Sequence, residues 1–160
     1  NEDNFTNLFA KLSIAPIIPV VKTSYKFQPI LVNDVATAIV KAIEIKKNEK
    51  KIYEIGGPKV IAFGNMVKSI LRTIGKKRFI IDLPISLAKI QASLFSLMPK
   101  PLLTRDQCEI LNEADNVVSN KHLKIDDLNI KPADVEESMP QWLWRFRDGG
   151  EFHKISNDKL

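Results

Sequence analysis

A chain of 160 residues suffices for one domain with a single sizeable core, and hardly for two. At 44% hydrophobic and 27% charged residues it has the make-up of an ordinary globular protein, which excludes wholesale disorder. One cysteine excludes a disulfide framework, two histidines exclude a zinc-finger scaffold, and a net charge of +5 raises the question of anionic partners.

Residues 3–13 predict a short helix, with Phe5, Leu8, Phe9 and Leu12 at helical spacing and Asn4 as a cap. The sequon Asn4-Phe5-Thr6 reads as chance, because the acidic, polar opening has neither the basic nor the apolar region of a secretory signal. Pro16 and Pro19 make 15–21 an extended connector rather than a central strand. A strand is expected over 25–32, broken by Asn33. Asp34 then caps a helix whose apolar positions Val35, Ile39 and Ile43 run together with Ala36, Val40 and Ala42. That helix should end near Lys47. A second strand at 51–55 leads into the turn Gly56-Gly57-Pro58.

The clearest amphipathic pattern is Phe63, Met66, Val67, Ile70, Leu71 and Ile74, closed by Gly75. A third strand covers 79–82. Pro84 opens a helix over 84–98 that is apolar almost all round, as expected of a helix covered by protein or lipid. Its most apolar stretch, 90–99, is bounded by Lys89 and Lys100 and is too short for a membrane span. Thr104 and Gln107 form a capping box for a helix over 105–114, with Asn116 as its stop. Residues 123–128 read as a polar, acidic turn, 133–138 as a last helix, and Pro140 as an interruption before Trp142, Leu143, Trp144 and Phe146. One domain over 1–148 and a frayed tail over 149–160 follow.

The basic residues gather at 41–51 and at Lys76-Lys77-Arg78, at predicted helix ends where cations meet the dipole favourably. No aromatic side chains interleave with them, so nucleic acid is not an expected partner.

No residue pattern here specifies catalysis. Gly56-Gly57 lacks the third glycine of a dinucleotide fingerprint, and turn chemistry accounts for the pair. Cys108 has no histidine near it in sequence and reads as a small buried hydrophobe. His122 and His153 have no metal-ligand partner at helical spacing, so no metal site is assigned. Asp126-Asp127 and Glu136-Glu137 are sequence neighbours that do not face one another, and solvated surface accounts for them. Tyr25 and Tyr53 are followed four residues later by Pro29 and Gly57 rather than lysine. The catalytic assignment is therefore none.

The segment from Phe27 to Ala38, with Val32, Asp34, Val35 and Ala36 in a Val-x-Asp-Val-Ala pattern, resembles the extended and atypical short-chain dehydrogenase/reductases. Tyr53-Glu54-Ile55-Gly56-Gly57-Pro58 resembles the strand and turn that follow in that superfamily. Leu103 to Gln107, Asp115 to Ser119 and Trp142 to Arg147 are similar to one atypical branch, the NAD(P)-binding accessory subunits of respiratory complex I and their bacterial relatives. The opening Glu2-Asp3-Asn4-Phe5 is similar to that branch as well.

The resemblance implies an α/β fold: the C-terminal, substrate-side part of an extended Rossmann-type protein, helices with a few short strands, lacking the N-terminal dinucleotide-binding domain. The chain opens on Asn1 rather than methionine, and the expectation is a truncated or proteolytic piece of a longer protein. NADP(H) would then be held by the preceding half, with no cofactor in this piece. Cofactor-binding residues are unknown, and whether Phe27 or Gln28 lines the cleft is open. The implied role is structural or in assembly, with complex I subunits or assembly factors as partners and peripheral membrane contact. The alternative is the substrate-binding domain of an NAD(P)-dependent reductase or sugar-nucleotide epimerase. The implied location is the bacterial cytoplasm beside the inner membrane, or the matrix side of the mitochondrial one. Helices shaped to pack on another domain should leave an apolar face uncovered, so self-association is expected. Light scattering at micromolar concentration should give a dimer mass, and a monomer would contradict this.

Overall fold

The computed structural model describes residues 4–45, 51–84, 115–119 and 121–150. The predicted helices 84–98 (Pro84 apart) and 105–114, the Thr104–Gln107 capping box, Cys108, His153 and the tail beyond Gly150 lie outside the described residues.

The described chain is α/β, with helices and short strands interleaved. In order come α1 (Asn4–Leu12), β1 (Ile17–Val21), β2 (Lys26–Phe27), α2 (Val32–Glu44), β3 (Tyr53–Glu54), β4 (Ile61–Ala62), α3 (Phe63–Thr73) and β5 (Phe79–Leu83). After these follow β6 (Leu123–Lys124), a 3-10 turn (Ile125–Leu128), α4 (Val135–Ser138), α5 (Pro140–Leu143) and a 3-10 turn (Trp144–Phe146). The strands pair two by two: β1 with β5 and β3 with β6 in parallel, β2 with β4 antiparallel.

The main core forms on α3. Met66, Val67, Ile70, Leu71 and Ile74 are buried on one face, in contact with Phe9 and Ala10 of α1, Ile18 and Val20 of β1, Met139, and Leu143 of α5. Phe63 also meets Phe5, Phe9 and Phe27, with ring centroids 5.5 to 6.2 Å apart, in mostly edge-on or tilted geometry that suits the ring quadrupoles. The helix stops in a Schellman motif: the Lys76 amide donates to the Leu71 carbonyl at 2.9 Å and the Gly75 amide to Arg72 at 3.1 Å. Gly75 has φ 73°, as the sequence predicted for a terminating glycine. A smaller cluster of Ala38, Ile125, Leu128 and Ile130 joins α2 to the first 3-10 turn.

Five expectations are corrected. The stretch 15–21, expected as an extended connector, contains a paired edge strand, β1, despite Pro19. The Phe79 amide donates to the Pro16 carbonyl, so parallel alternation gives the ladder bonds to positions 16, 18 and 20. Pro19 sits where the missing N–H faces away from β5, the position an edge strand allows. The strand expected over 25–32 shrinks to Lys26–Phe27, and Val32 already belongs to α2. Asp34 is therefore inside the first turn and is no cap; its Oδ2 accepts instead from the Ala133 amide at 2.9 Å. Asn116, expected in a left-handed conformation, has no positive φ: it bridges Phe27 in parallel, accepting from the Gln28 amide at 3.1 Å and donating to the Lys26 carbonyl at 2.9 Å. Residues 123–128 do carry the expected acidic turn, with Asp126 and Asp127 exposed and Ile125 and Leu128 buried beneath them.

The fifth correction concerns Gly56-Gly57. Neither adopts a positive φ. A Cβ on Gly57 would lie 1.9 Å from the Pro29 carbonyl oxygen, and one on Gly56 would lie 2.8 Å from Gln28 and Val118 side-chain carbons. Close backbone approach, not turn conformation, requires glycine here. Gly57→Ala is therefore expected to lower stability by about 2–3 kcal/mol through backbone displacement, read as a fall in the denaturation midpoint. An unchanged midpoint would show that the approach relaxes freely.

Candidate functional site

The segment Phe27-Gln28-Pro29-Ile30 runs extended between the end of β2 and the start of α2. Its backbone is held by Asn116 on one side and by Gly57, whose amide reaches the Gln28 carbonyl at 3.4 Å, on the other. The Gln28 side chain completes the brace. Its Nε2 donates to the Gly57 carbonyl at 2.6 Å and its Oε1 accepts from the Val118 amide at 3.3 Å. A carboxamide suits this position because it offers a donor and an acceptor at once.

Beside the brace lies a shallow cleft of about 230 Å³, lined by Phe27, Gln28, Pro29, Ile30, Ile55, Asn116 and Val118. Five of the seven lining residues are apolar and the other two are carboxamides, so none can act as nucleophile, general acid or base. The cleft is smaller than the few hundred Å³ that enclose a drug-sized ligand. Phe27 and Gln28 are among the residues that line this shallow cleft.

Next to it Glu54 joins β3 to the loop before β6. Its carboxylate accepts from the Ser119 hydroxyl at 2.7 Å and from the Ser119 amide, and His122 Nε2 stands 4.0 Å away. The hydroxyl donates to the carboxylate and not to the imidazole, so the trio lacks the nucleophile–base contact of an acyl-transfer site. The Ser119 hydroxyl chiefly, aided by its amide, His122 and Lys121, outweighs partial burial and holds the Glu54 carboxyl below the usual carboxylate range. It is a clip.

The other singled-out residues are dispersed. Tyr25 is buried in the main core, where burial first and Asp115 second push its phenol up. Tyr53 packs against the smaller cluster. Asp127 caps the 3-10 turn, its Oδ2 accepting from the Lys124 amide at 2.7 Å, and Glu136 accepts from the Ser69 hydroxyl. Asp134 caps α4 and pairs with Lys59. Burial opposes its ionisation, but the Lys59 ammonium and the Glu136 and Glu137 amides prevail and hold its pKa low. Trp142 is half-buried, with Nε1 donating to Thr6 at 3.0 Å, whereas Trp144 is exposed. Among the described residues no group of three or more His, Cys, Asp or Glu is placed to hold a metal ion. The Gln28 brace, the Glu54 clip and the Asp34–Ala133 bond were missed in the sequence because they join residues 29 to 99 positions apart.

The fold is similar to that in the crystal structure of gox2253, with a TM-score of 0.56 at 19% identity, over 86% of this chain and 42% of that one. No protein-family profile matches the chain. In sequence it resembles an accessory subunit of complex I: it is 32% identical over 146 residues to NADH dehydrogenase [ubiquinone] 1 alpha subcomplex subunit 9, mitochondrial, of Arabidopsis thaliana. It is 26% identical over 162 residues to the protein of the same name in Dictyostelium discoideum. These matches cover 84% and 98% of the chain, which spans 36% and 45% of the two relatives.

A titration tests the clip. Because the Glu54 pKa is lower folded than unfolded, its stabilisation is complete above the unfolded value and is lost as pH falls through the folded one. The Ser119 amide resonance should follow that titration with a midpoint below the ordinary glutamate range, and Glu54→Gln should abolish it. A midpoint at or above that range would contradict the arrangement.

Proposed function

We propose that the chain is the C-terminal, substrate-side region of a complex I accessory-subunit-like protein, with a structural or assembly role. The observation that carries this is the 32% identity to the Arabidopsis thaliana subunit over 84% of the chain. Two features of the fold support it. The cleft at Gln28 and the clip at Glu54 hold polar groups in closed pairs and present no reacting constellation.

The second feature is α2. Ala38 is buried, while Val32, Ala36, Ile39, Val40 and Ile43 form an exposed apolar stripe at helical spacing. Such a stripe suits packing against a preceding Rossmann-type half, and that half would hold NADP(H). Left alone, the stripe would be closed by a second copy of the chain. The same reading puts the protein beside the inner membrane, on the matrix side in a mitochondrion or the cytoplasmic side in a bacterium, among complex I subunits or assembly factors.

The test is native electrophoresis of membranes from cells carrying the tagged full-length protein. The tag should co-migrate with NADH dehydrogenase activity or with an assembly intermediate of it. Migration apart from both would overturn the reading. In parallel, NADPH should bind the full-length protein and not the 160-residue chain.

A further inference from the structure

The outer face of the β1–β5 sheet is apolar and open. Side chains alternate along a strand, and the register pairs Ile17 with Phe79 and Pro19 with Ile81 on this face. Phe79 is 78% exposed, and Ile17 and Ile81 are each 47% exposed. Ile14, in the turn that enters β1, is 83% exposed. Turn and strand form one surface, because the Phe79 amide donates to the Pro16 carbonyl at 3.1 Å and Arg78 Nε to the Ser13 carbonyl at 2.7 Å.

Charge is distributed unevenly around this surface. Lys76 and Lys77 stand three and two residues before Phe79, with Arg78 between, and exposed Lys11 precedes Ile14 by one helical turn. The acidic residue of the sheet, Asp82, pairs in register with Val20 on the opposite face and accepts from the Thr23 amide at 2.9 Å. No carboxylate of β1 or β5 therefore shares the outer face.

An exposed phenylalanine and isoleucines, with lysines near them in sequence and no carboxylate of β1 or β5 beside them, complement an anionic bilayer surface. Apolar side chains enter the boundary between headgroups and acyl chains, and ammonium groups meet headgroup phosphates. No helix among the described residues is long and apolar enough to cross a membrane, so the contact is one of a surface lying on lipid.

We propose that the outer β1–β5 face docks on an anionic lipid bilayer, with Phe79 and Ile14 inserting and Lys76 and Lys77 binding headgroup phosphates. This does not rest on the complex I reading and would hold if that reading failed.

The test is co-sedimentation of the 160-residue chain with vesicles of phosphatidylcholine alone or mixed equally with phosphatidylglycerol. Binding to the mixed vesicles should be at least about tenfold tighter and should weaken with salt. Phe79→Ser, at a site outside the core, should lower partitioning about tenfold or more. Lys76→Gln with Lys77→Gln should remove most of the preference for anionic vesicles, and serves as the second probe if the first variant misfolds. Failure of the parent to bind either vesicle, or retention of full binding by both variants, would overturn the proposal. So would self-association that Phe79→Ser abolishes without any vesicle binding, which would make the face a contact between copies.

Discussion

Burial of the apolar face of α3 is the constraint on which the rest of the chain depends. A helix of 11 residues is marginal in water by itself and persists because its stripe is packed. Every neighbour is placed by that stripe: α1 and β1 through Phe9, Ile18 and Val20, and the C-terminal turns through Val135, Met139 and Leu143. The parallel pairing of β1 with β5 follows, because α3 leads directly through its glycine stop into the strand that must return beside β1.

The polar contacts fasten what this core brings near. Gln28, Glu54, Asp34 and Asp134 each tie a strand end or loop to a segment distant in sequence, through backbone amides and carbonyls or a lysine. Groups committed in this way have little capacity left for chemistry. The exposed apolar stripe of α2 and the outer face of β1–β5 are the features open to a partner.

The helix of α3 with its glycine stop, α1 and the break at Pro140 were legible because each is local: apolar spacing, a residue suited to positive φ, a proline at a first helical position. The helix at α2 was legible too, but its orientation was not. Val35, Ile39 and Ile43 were read as sharing a face, with no sign of which way it turns; Ala38 is buried, and Ile39 and Ile43 face out. An apolar helix with more than one candidate face does not declare which one its own chain will cover. The resemblance carried by Val32, Asp34, Val35 and Ala36 pointed to the right relatives, although Asp34 reaches Ala133 rather than capping.

By itself the sequence determined the α/β class, the central amphipathic helix and the likeness to complex I accessory subunits, since composition, periodicity and motif residues are properties of short stretches. Only the tertiary structure decided the two-stranded sheets seen among the described residues, the close approach at Gly57 and the pairing of Glu54 with Ser119. Strands of two residues carry no alternation to read. A glycine chosen for a neighbouring backbone looks the same in sequence as one chosen for a turn, and the contact that distinguishes them exists only once the chain has folded.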